Sequence, residues 1–511
     1  MAAIVLPKPA RGLLVGLPLC ALAIHIATLG GYGWFRDEFY YVSCASRLAW
    51  GYVDQPPLSI AILKAIIAVA GVSLTAMRLA AAVAGALTVL VVGLITRQLG
   101  GGRVAQATAM LAAIVTPEYL ALDHFYSMNA WDLLAWPLGA LLLLRALRSG
   151  RPGEWIVLGL ALGLGLLNKI SVLWLGFGIA VACVLVRSWR AQIATAGPWL
   201  AAGVAAVVFA PHVLWQIRMG WPTLEFIRNA SSEKMAVSSI GAFSLAQLQV
   251  LGPGVAILAL AGLISLFRRE DDGHARGLAW IWVAAFLLLA LNGTSRAGYL
   301  APAYTWLMAA GGVAVERLSA ARWRWAAWAA PAALVVTGLP LVPLALPVLS
   351  VDRYVAYAKA IGIAPSTEER KEIARLPQFY ADMQGWDRLV DAVDAARRAL
   401  PPDEQGRAIF YGGNYGEAGA VEVLGPSRGL PPAYSGHNNF WYWGPPPEST
   451  DAVIVFTSNE ARLHQLFDHV VRTGQTDCGD CMPYENHQPV YACWGRKTSW
   501  AERWPALKHF D

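Results

Sequence analysis

The run LLVGLPLCALAIHIATLG at residues 13–30, followed closely by Gly33-Trp34-Phe35-Arg36-Asp37-Glu38-Phe39-Tyr40-Tyr41, decides how this chain must fold. A largely apolar stretch of that length crosses most of a bilayer core as a helix. Lys8 and Arg11 precede it as in a secretory signal. No small-x-small cleavage site with a polar start follows, and many further apolar runs do, so it reads as an uncleaved first helix. Leu17-Pro18-Leu19-Cys20 lacks the small residues that a lipoprotein box wants before its Cys. Two adjacent carboxylates at the mouth of a membrane helix are costly to place there and can act on something held at the bilayer surface. Asp37 and Glu38 therefore lead the candidates for the working site.

Composition carries the same reading across all 511 residues. The chain is 56% hydrophobic and 14% charged, with a mean hydropathy of +0.45, where ordinary domains carry about 25% charge. It is expected to be a polytopic α-helical membrane protein. The net charge of +6 comes with Arg in short loops between apolar runs, a topology signal, and no nucleic-acid-binding motif accompanies it. Runs long enough for a hydrocarbon core of roughly 30 Å number about eleven. They lie near 12–31, 78–97, 104–122, 128–147, 155–167, 170–186, 195–217, 243–267, 277–292, 298–315 and 325–349. Arg97 with Arg103, then Arg145, Arg148 and Arg151, then Arg187 and Arg190, then Arg268, Arg269 and Arg276, then Arg317, Arg322 and Arg324 occupy every second connection. The positive-inside rule makes those connections cytoplasmic. The N-terminus is then inside, while Asp37, Glu38 and everything after about residue 350 face outward. The expected division is a membrane domain at 1–349 and a soluble periplasmic α/β domain at 350–511. The fifth run is short enough to be tilted, re-entrant or paired with the sixth through Asn168 and Lys169.

Cations on the outer side break the rule. Arg36, Arg47, Lys64, Arg78, Lys169, Arg218, Arg228, Lys234 and Arg296 all fall there, which points to an anionic ligand such as a phosphate, with some of them only snorkelling to headgroups. In the first outer segment, Val42–Gly51 and Leu58–Val69 carry apolar residues at helical spacing around Asp54-Gln55-Pro56-Pro57, and so read as short helices along the membrane surface. A second outer turn, Thr116–Asp132, gathers Glu118, Asp123, His124, Asn129 and Asp132.

After Ser350, charge, Gly and Pro become frequent. Ala408–Tyr411 and Ala452–Thr457 read as strands, and Asp387–Leu400 and Ser458–Thr473 as helices. The loop Gly412-Gly413-Asn414-Tyr415-Gly416-Glu417-Ala418-Gly419 follows a strand, but its spacing is wrong for a dinucleotide fingerprint and no βαβ unit is evident around it. Ser435-Gly436-His437-Asn438-Asn439-Phe440-Trp441-Tyr442-Trp443-Gly444 offers amides, a His and aromatics of the kind that hold sugar rings, and would equally serve as an aromatic plug docking this domain on the membrane part. Cys478, Cys481 and Cys493 are disulfide candidates on an oxidising side, with a Cys3His zinc site through His487 as the other reading.

An ordered set of motifs now stands together: the acidic pair, Asp54-Gln55-Pro56-Pro57, Phe125-Tyr126-Ser127-Met128-Asn129-Ala130-Trp131-Asp132, Gly165-Leu166-Leu167-Asn168-Lys169, Trp221-Pro222-Thr223 and Tyr299-Leu300-Ala301-Pro302. The chain resembles bacterial glycosyltransferase family 39, membrane enzymes of the C-type fold related to protein O-mannosyltransferases and to the aminoarabinose transferase of lipid A. The resemblance implies that Asp37 is the catalytic acidic residue of the first outer loop. Relatives carry a Lys-Pro-Tyr-Tyr-Leu-type sequence before the tenth span where this chain has Arg296-Ala297-Gly298-Tyr299-Leu300.

The implied reaction moves a sugar from a polyprenyl-phosphate donor to a lipid, glycan or protein hydroxyl at the outer face of the bacterial cytoplasmic membrane, with inversion. Asp37, supported by Glu38, takes the acceptor proton, and because an ordinary Asp with a pKa of about 4 is a weak base, removal is concerted with attack. Lys169, Arg296 and Tyr299 are the expected donor-phosphate contacts. Tyr40, Gln55, Asp123, His124, Asn129, Asp132, His437 and Asn438 are the expected substrate contacts. A monophosphate leaving group needs no obligatory metal, and a divalent ion is admitted if Asp37, Glu38, Asp123 and His124 converge. The competing reading is a transporter or lipid-sugar flippase. Transporters place ionisable groups near mid-membrane and often carry internal repeats, whereas these acids cluster in outer loops and no repeat is visible. A non-catalytic envelope scaffold accounts for the outer domain but not for paired acids beside outward cations.

Overall fold

The computed structural model describes residues 6–269 and 273–511. Close contacts divide the chain into two units. The first joins Met1–Gly31, Thr75–Trp215 and Val237–Val348 and is helical throughout its regular elements, while the second joins Tyr32–Leu74, Gln216–Ala236 and Leu349–Asp511.

In the helical unit, among the described residues, six helices are long and apolar enough to cross a membrane by length and composition, or up to eight spans if each of two bent pairs counts as one. Local chemistry sets their ends. Ser127 accepts the N–H of Asn129 to open Met128–Ser149, Gly150 closes it in the left-handed region (φ 65°), and Pro152 starts the next helix, where a missing N–H costs nothing. The run expected as one span at 243–267 is two helices, Ile240–Leu251 and Pro253–Phe267, meeting at 112°. Gly252, at φ 74°, takes a backbone that favours glycine, and Pro253 cannot donate back to the preceding turn. The run at 298–315 likewise opens as a 3-10 segment, Ala297–Tyr304, before the helix Thr305–Ala321.

Helices approach closely where small residues meet. A Cβ on Gly262 would run into the main chain of Leu307, and one on Gly311 into Leu258, so Pro253–Phe267 and Thr305–Ala321 cross backbone to backbone. At another point Glu316 receives the N–H groups of Gly102 (2.6 Å) and Val104 (3.1 Å), placing a carboxylate on the positive start of Arg103–Val115.

The second unit is built on a five-stranded sheet in the order β2-β1-β3-β5-β4. Its strands are β1 (Ile409–Tyr411), β2 (Ala433–Tyr434), β3 (Val453–Phe456), β4 (Phe467–Gln475) and β5 (Pro489–Arg496). β1 runs parallel to β2 and β3, and β5 runs antiparallel to β3 and β4. The helix Trp386–Arg398 turns Trp386, Leu389, Val390, Val393 and Ala396 to the core, a 3.6-residue stripe.

Two expectations about this unit need correction. Ser458–Thr473 is not one helix: it turns after Glu460–Leu466 into β4, because the edge of β5 offers a ladder that local helical tendency does not outweigh. A βαβ unit does exist, with the helix Tyr415–Leu424 crossing between the parallel β1 and β2. Its helix start is no phosphate cradle, since Asn414 caps the N–H groups of Gly416 and Glu417, and Glu417 accepts from Gly413 at 2.6 Å.

The division at 349 assigns Tyr32–Leu74 and Gln216–Ala236 to the membrane part, whereas they pack with the C-terminal segment. Phe39 lies in the same core as Trp386, ring against ring at 5.5 Å. Lys508 pairs with Glu225 at 2.7 Å, and Asn229 donates to Phe510 O at 2.9 Å.

Candidate active site

The helix Arg36–Ser46 begins where Phe35 is extended and its N–H is met by Glu38 Oε2 at 2.9 Å. That folds the Glu38 carboxylate back over the helix start, and the residue is fully buried there. Asp37 is turned the other way and keeps 34% of its side chain exposed. Its Oδ1 accepts the Tyr415 hydroxyl at 2.8 Å and lies 3.8 Å from Arg36 Nε. Among the described residues, Oδ2 has no partner. The adjacent acids thus have different jobs, one closing a helix and one facing out.

Tyr415 is held from several sides. Its ring packs on Tyr40 (4.8 Å) and His437 (4.7 Å), with the Arg36 guanidinium 5.3 Å over it, and its N–H donates to His437 Nδ1 at 3.3 Å. Burial pushes the phenol well above its usual range, with Arg36 opposing, so the hydroxyl stays a donor. Arg36 also donates to the Tyr484 hydroxyl and lies 3.8 Å from Asp382. Burial pushes the Asp382 carboxyl up while Arg36 pulls it down.

One turn along the same helix, Tyr40 Oη lies 3.0 Å from both Asp54 Oδ1 and Asn439 Oδ1, and the latter also receives the Val53 N–H at 2.7 Å. Burial raises the Asp54 carboxyl to about 7, which suits a proton shared with the phenol. His437 accepts at Nδ1, so its ring proton is on Nε2, 3.0 Å from Asp511 O, and burial holds the ring neutral. Gln55 and Asn438 are sealed: both are buried, and neither amide has a side-chain partner.

In the helical unit a second polar cluster forms. Lys169 Nζ donates to Asn129 Oδ1 at 2.7 Å, lies 3.6 Å from Asp132 Oδ2 and sits 4.9 Å over the Tyr299 ring, while Ser171 donates to Asp132 Oδ1 at 2.7 Å. Four of the expected residues, Asn129, Asp132, Lys169 and Tyr299, are therefore brought together, with the cation already facing a buried carboxylate. Arg296 is half-buried at the start of the Ala297–Tyr304 segment. Asp123 and His124 are buried elsewhere, Asp123 against Gly85 and the His124 ring 6.4 Å from that of His25.

Residues 54–215 match the family model described as dolichyl-phosphate-mannose-protein mannosyltransferase. The chain is 26% identical over 297 residues to the lipid A galacturonosyltransferase RgtD of Rhizobium johnstonii, covering 57% of this chain and 62% of that one. It is 28% identical over 244 residues to the lipopolysaccharide core galacturonosyltransferase RgtA of the same organism, covering 46% and 48%. The chain thus spans about half to three-fifths of the length of these relatives. The crystal structure of ArnT from Cupriavidus metallidurans bound to undecaprenyl phosphate superposes with a TM-score of 0.62 at 16% identity, over 94% of this chain and 98% of that one. The chain shares the fold of that structure. The resemblance to family 39 read from the motifs is borne out, and the chain is a membrane protein.

Cys478 and Cys481 form a disulfide, while Cys493 is buried on β5, so the Cys3His zinc alternative has lost two thiolates. The one group of three His, Cys, Asp or Glu side chains with ligand atoms within 4.8 Å, among the described residues, is His437, His509 and Asp511. It fits a cation poorly, because His437 Nε2 carries the proton that Nδ1 cannot hold while accepting from Tyr415. The aromatic run 440–443 is knit into its own unit: Trp441 Nε1 donates to Trp504 O at 3.1 Å, and the Tyr442 hydroxyl to Met219 O at 3.0 Å. Sequence reasoning missed Tyr415, Tyr484, Asp382 and the pairing of Asp54 with Tyr40. The Asn414 cap after a strand was the available signal for Tyr415, overshadowed by the dinucleotide comparison.

Proposed function

We propose that this protein transfers a sugar from a polyprenyl-phosphate donor to a hydroxyl of a lipid or glycan acceptor at the outer face of the cytoplasmic membrane. In this reading Asp37 Oδ2 takes the acceptor proton, the acceptor oxygen bonds to the anomeric carbon, and the bond from that carbon to the phosphate oxygen breaks with its electron pair leaving on phosphate. The configuration inverts in a single displacement. Arg296, with Lys169, steadies the departing phosphate, a role worth roughly 3–4 kcal/mol in comparable charge-stabilising sites.

The observation that carries the reading is the Asp37 carboxylate: one oxygen held, the other unpartnered among the described residues, and the side chain open to solvent. Eleven spans, a cytoplasmic N-terminus and a periplasmic C-terminal segment belong to the same proposal, supported by the alternating Arg loops. The relatives make a galacturonic acid donor and a lipid A or lipopolysaccharide core acceptor the first pair to assay. Purified protein with polyprenyl-phosphate galacturonic acid and lipid A should yield modified lipid A, and Asp37→Asn should lower transfer by about a hundredfold or more at matched melting behaviour. Near-normal transfer by Asp37→Asn would reject Asp37 as the base and move attention to Asp132 or Asp123.

A further inference from the structure

The geometry points to Tyr415 as the positioning residue of Asp37: its hydroxyl binds Oδ1 and thereby leaves Oδ2 as the oxygen that meets the acceptor. This rests on Asp37 being the base.

A carboxylate on a freely rotating side chain presents either oxygen over a range of angles. Anchoring one oxygen fixes both, and small misplacements of a catalytic group are costly. Asp37 Oδ1 has two neighbours here, the Tyr415 hydroxyl at 2.8 Å and Arg36 Nε at 3.8 Å, and only the first is within hydrogen-bond distance. The donor is itself immobilised. Tyr415 is the first residue of the helix Tyr415–Leu424, started by the Asn414 cap, and its ring is clamped by Tyr40, His437 and Arg36. Room around it is tight, since a Cβ on Gly416 would run into the Arg36 side chain. The loop from Gly412 to Gly419 therefore has a use that its sequence concealed: its Asn caps the helix and its Tyr reaches the acid 378 residues earlier in the chain.

Loss of the donor has a consequence beyond a loss of packing: Asp37 gains rotational freedom, which lowers kcat. The other charged groups bearing on Asp37, namely Arg36, Asp382 and Asp54, are untouched by the substitution.

The test is Tyr415→Phe in the full-length protein, which keeps the ring contacts and removes only the hydroxyl. The expected result is a fall in kcat of about tenfold to a hundredfold per folded protein, with KM for the donor lipid little changed. Tyr415→Leu, which also loses the ring, should lower the melting temperature in addition. Asp37→Asn measured alongside separates the two readings. If Asp37→Asn is inactive while Tyr415→Phe matches wild type in kcat and KM, the positioning role is overturned and the base assignment survives. If Asp37→Asn is active, the base assignment fails and this inference with it. A Tyr415→Phe protein that loses activity only in proportion to lost folded protein also overturns it.

Discussion

At the scale of single residues, two charged groups have roles that only their partners reveal. Lys169 was legible as an outer cation, but not as the partner of a buried Asp132. Removing one member of a buried pair leaves the other charge uncompensated, at a cost of roughly 3–5 kcal/mol. Lys169→Ala should therefore melt markedly lower than wild type, and Lys169→Ala with Asp132→Asn should recover much of that loss. A Lys169→Ala protein with unchanged melting but weaker donor binding would make phosphate its principal partner. Asp54 carries a pH signature. Burial raises its folded-state value to about 7, above the ordinary carboxyl value of 3.8, so the folded protein holds the proton more tightly. That contribution is complete below about pH 4 and fades as the pH rises through about 7. Asp54→Asn, which never loses its donor, should flatten the decline of melting temperature between about pH 5 and pH 8. An unchanged slope would place the pH dependence in Asp382 or Glu417.

At the scale of elements, the helices were readable where their signals are local and misread where a partner decided. Ser127, Gly150 and Pro152 announce ends within a few residues. The bend after Leu251 is written in Gly252-Pro253, yet a hydropathy window averages across it. β4 was misread because its strand state depends on β5, which lies beyond the next loop. Close helix crossings were invisible for the same reason, since nothing near Gly262 in the sequence shows that it faces Leu307. Gly262→Ala should destabilise by about 1–3 kcal/mol. Gly16→Ala, with open space around its Cβ, should be neutral or slightly stabilising in the same melting assay. Equal effects would mean that the crossing yields to accommodate a methyl group.

At the scale of the whole molecule, the alternating Arg loops make a topology prediction. A reporter active only outside the cytoplasm should work when fused after residue 360 and fail after residue 320, and the reverse pattern would invert the outer-face assignment of Asp37. Membrane class, the family-39 likeness and the prominence of the acidic pair were determined by the sequence alone, because each rests on composition, on charge spacing or on short ordered motifs. Tertiary structure alone decided which acid is spent on a helix start and which is left open. It also decided that Tyr32–Leu74 and Gln216–Ala236 pack with the C-terminal segment, and that Tyr415 meets Asp37. The physical reason is that a contact between residues hundreds of positions apart imposes no periodicity and no local propensity on either one. It exists only once the intervening chain has packed and brought the hydroxyl and the carboxylate within bonding distance.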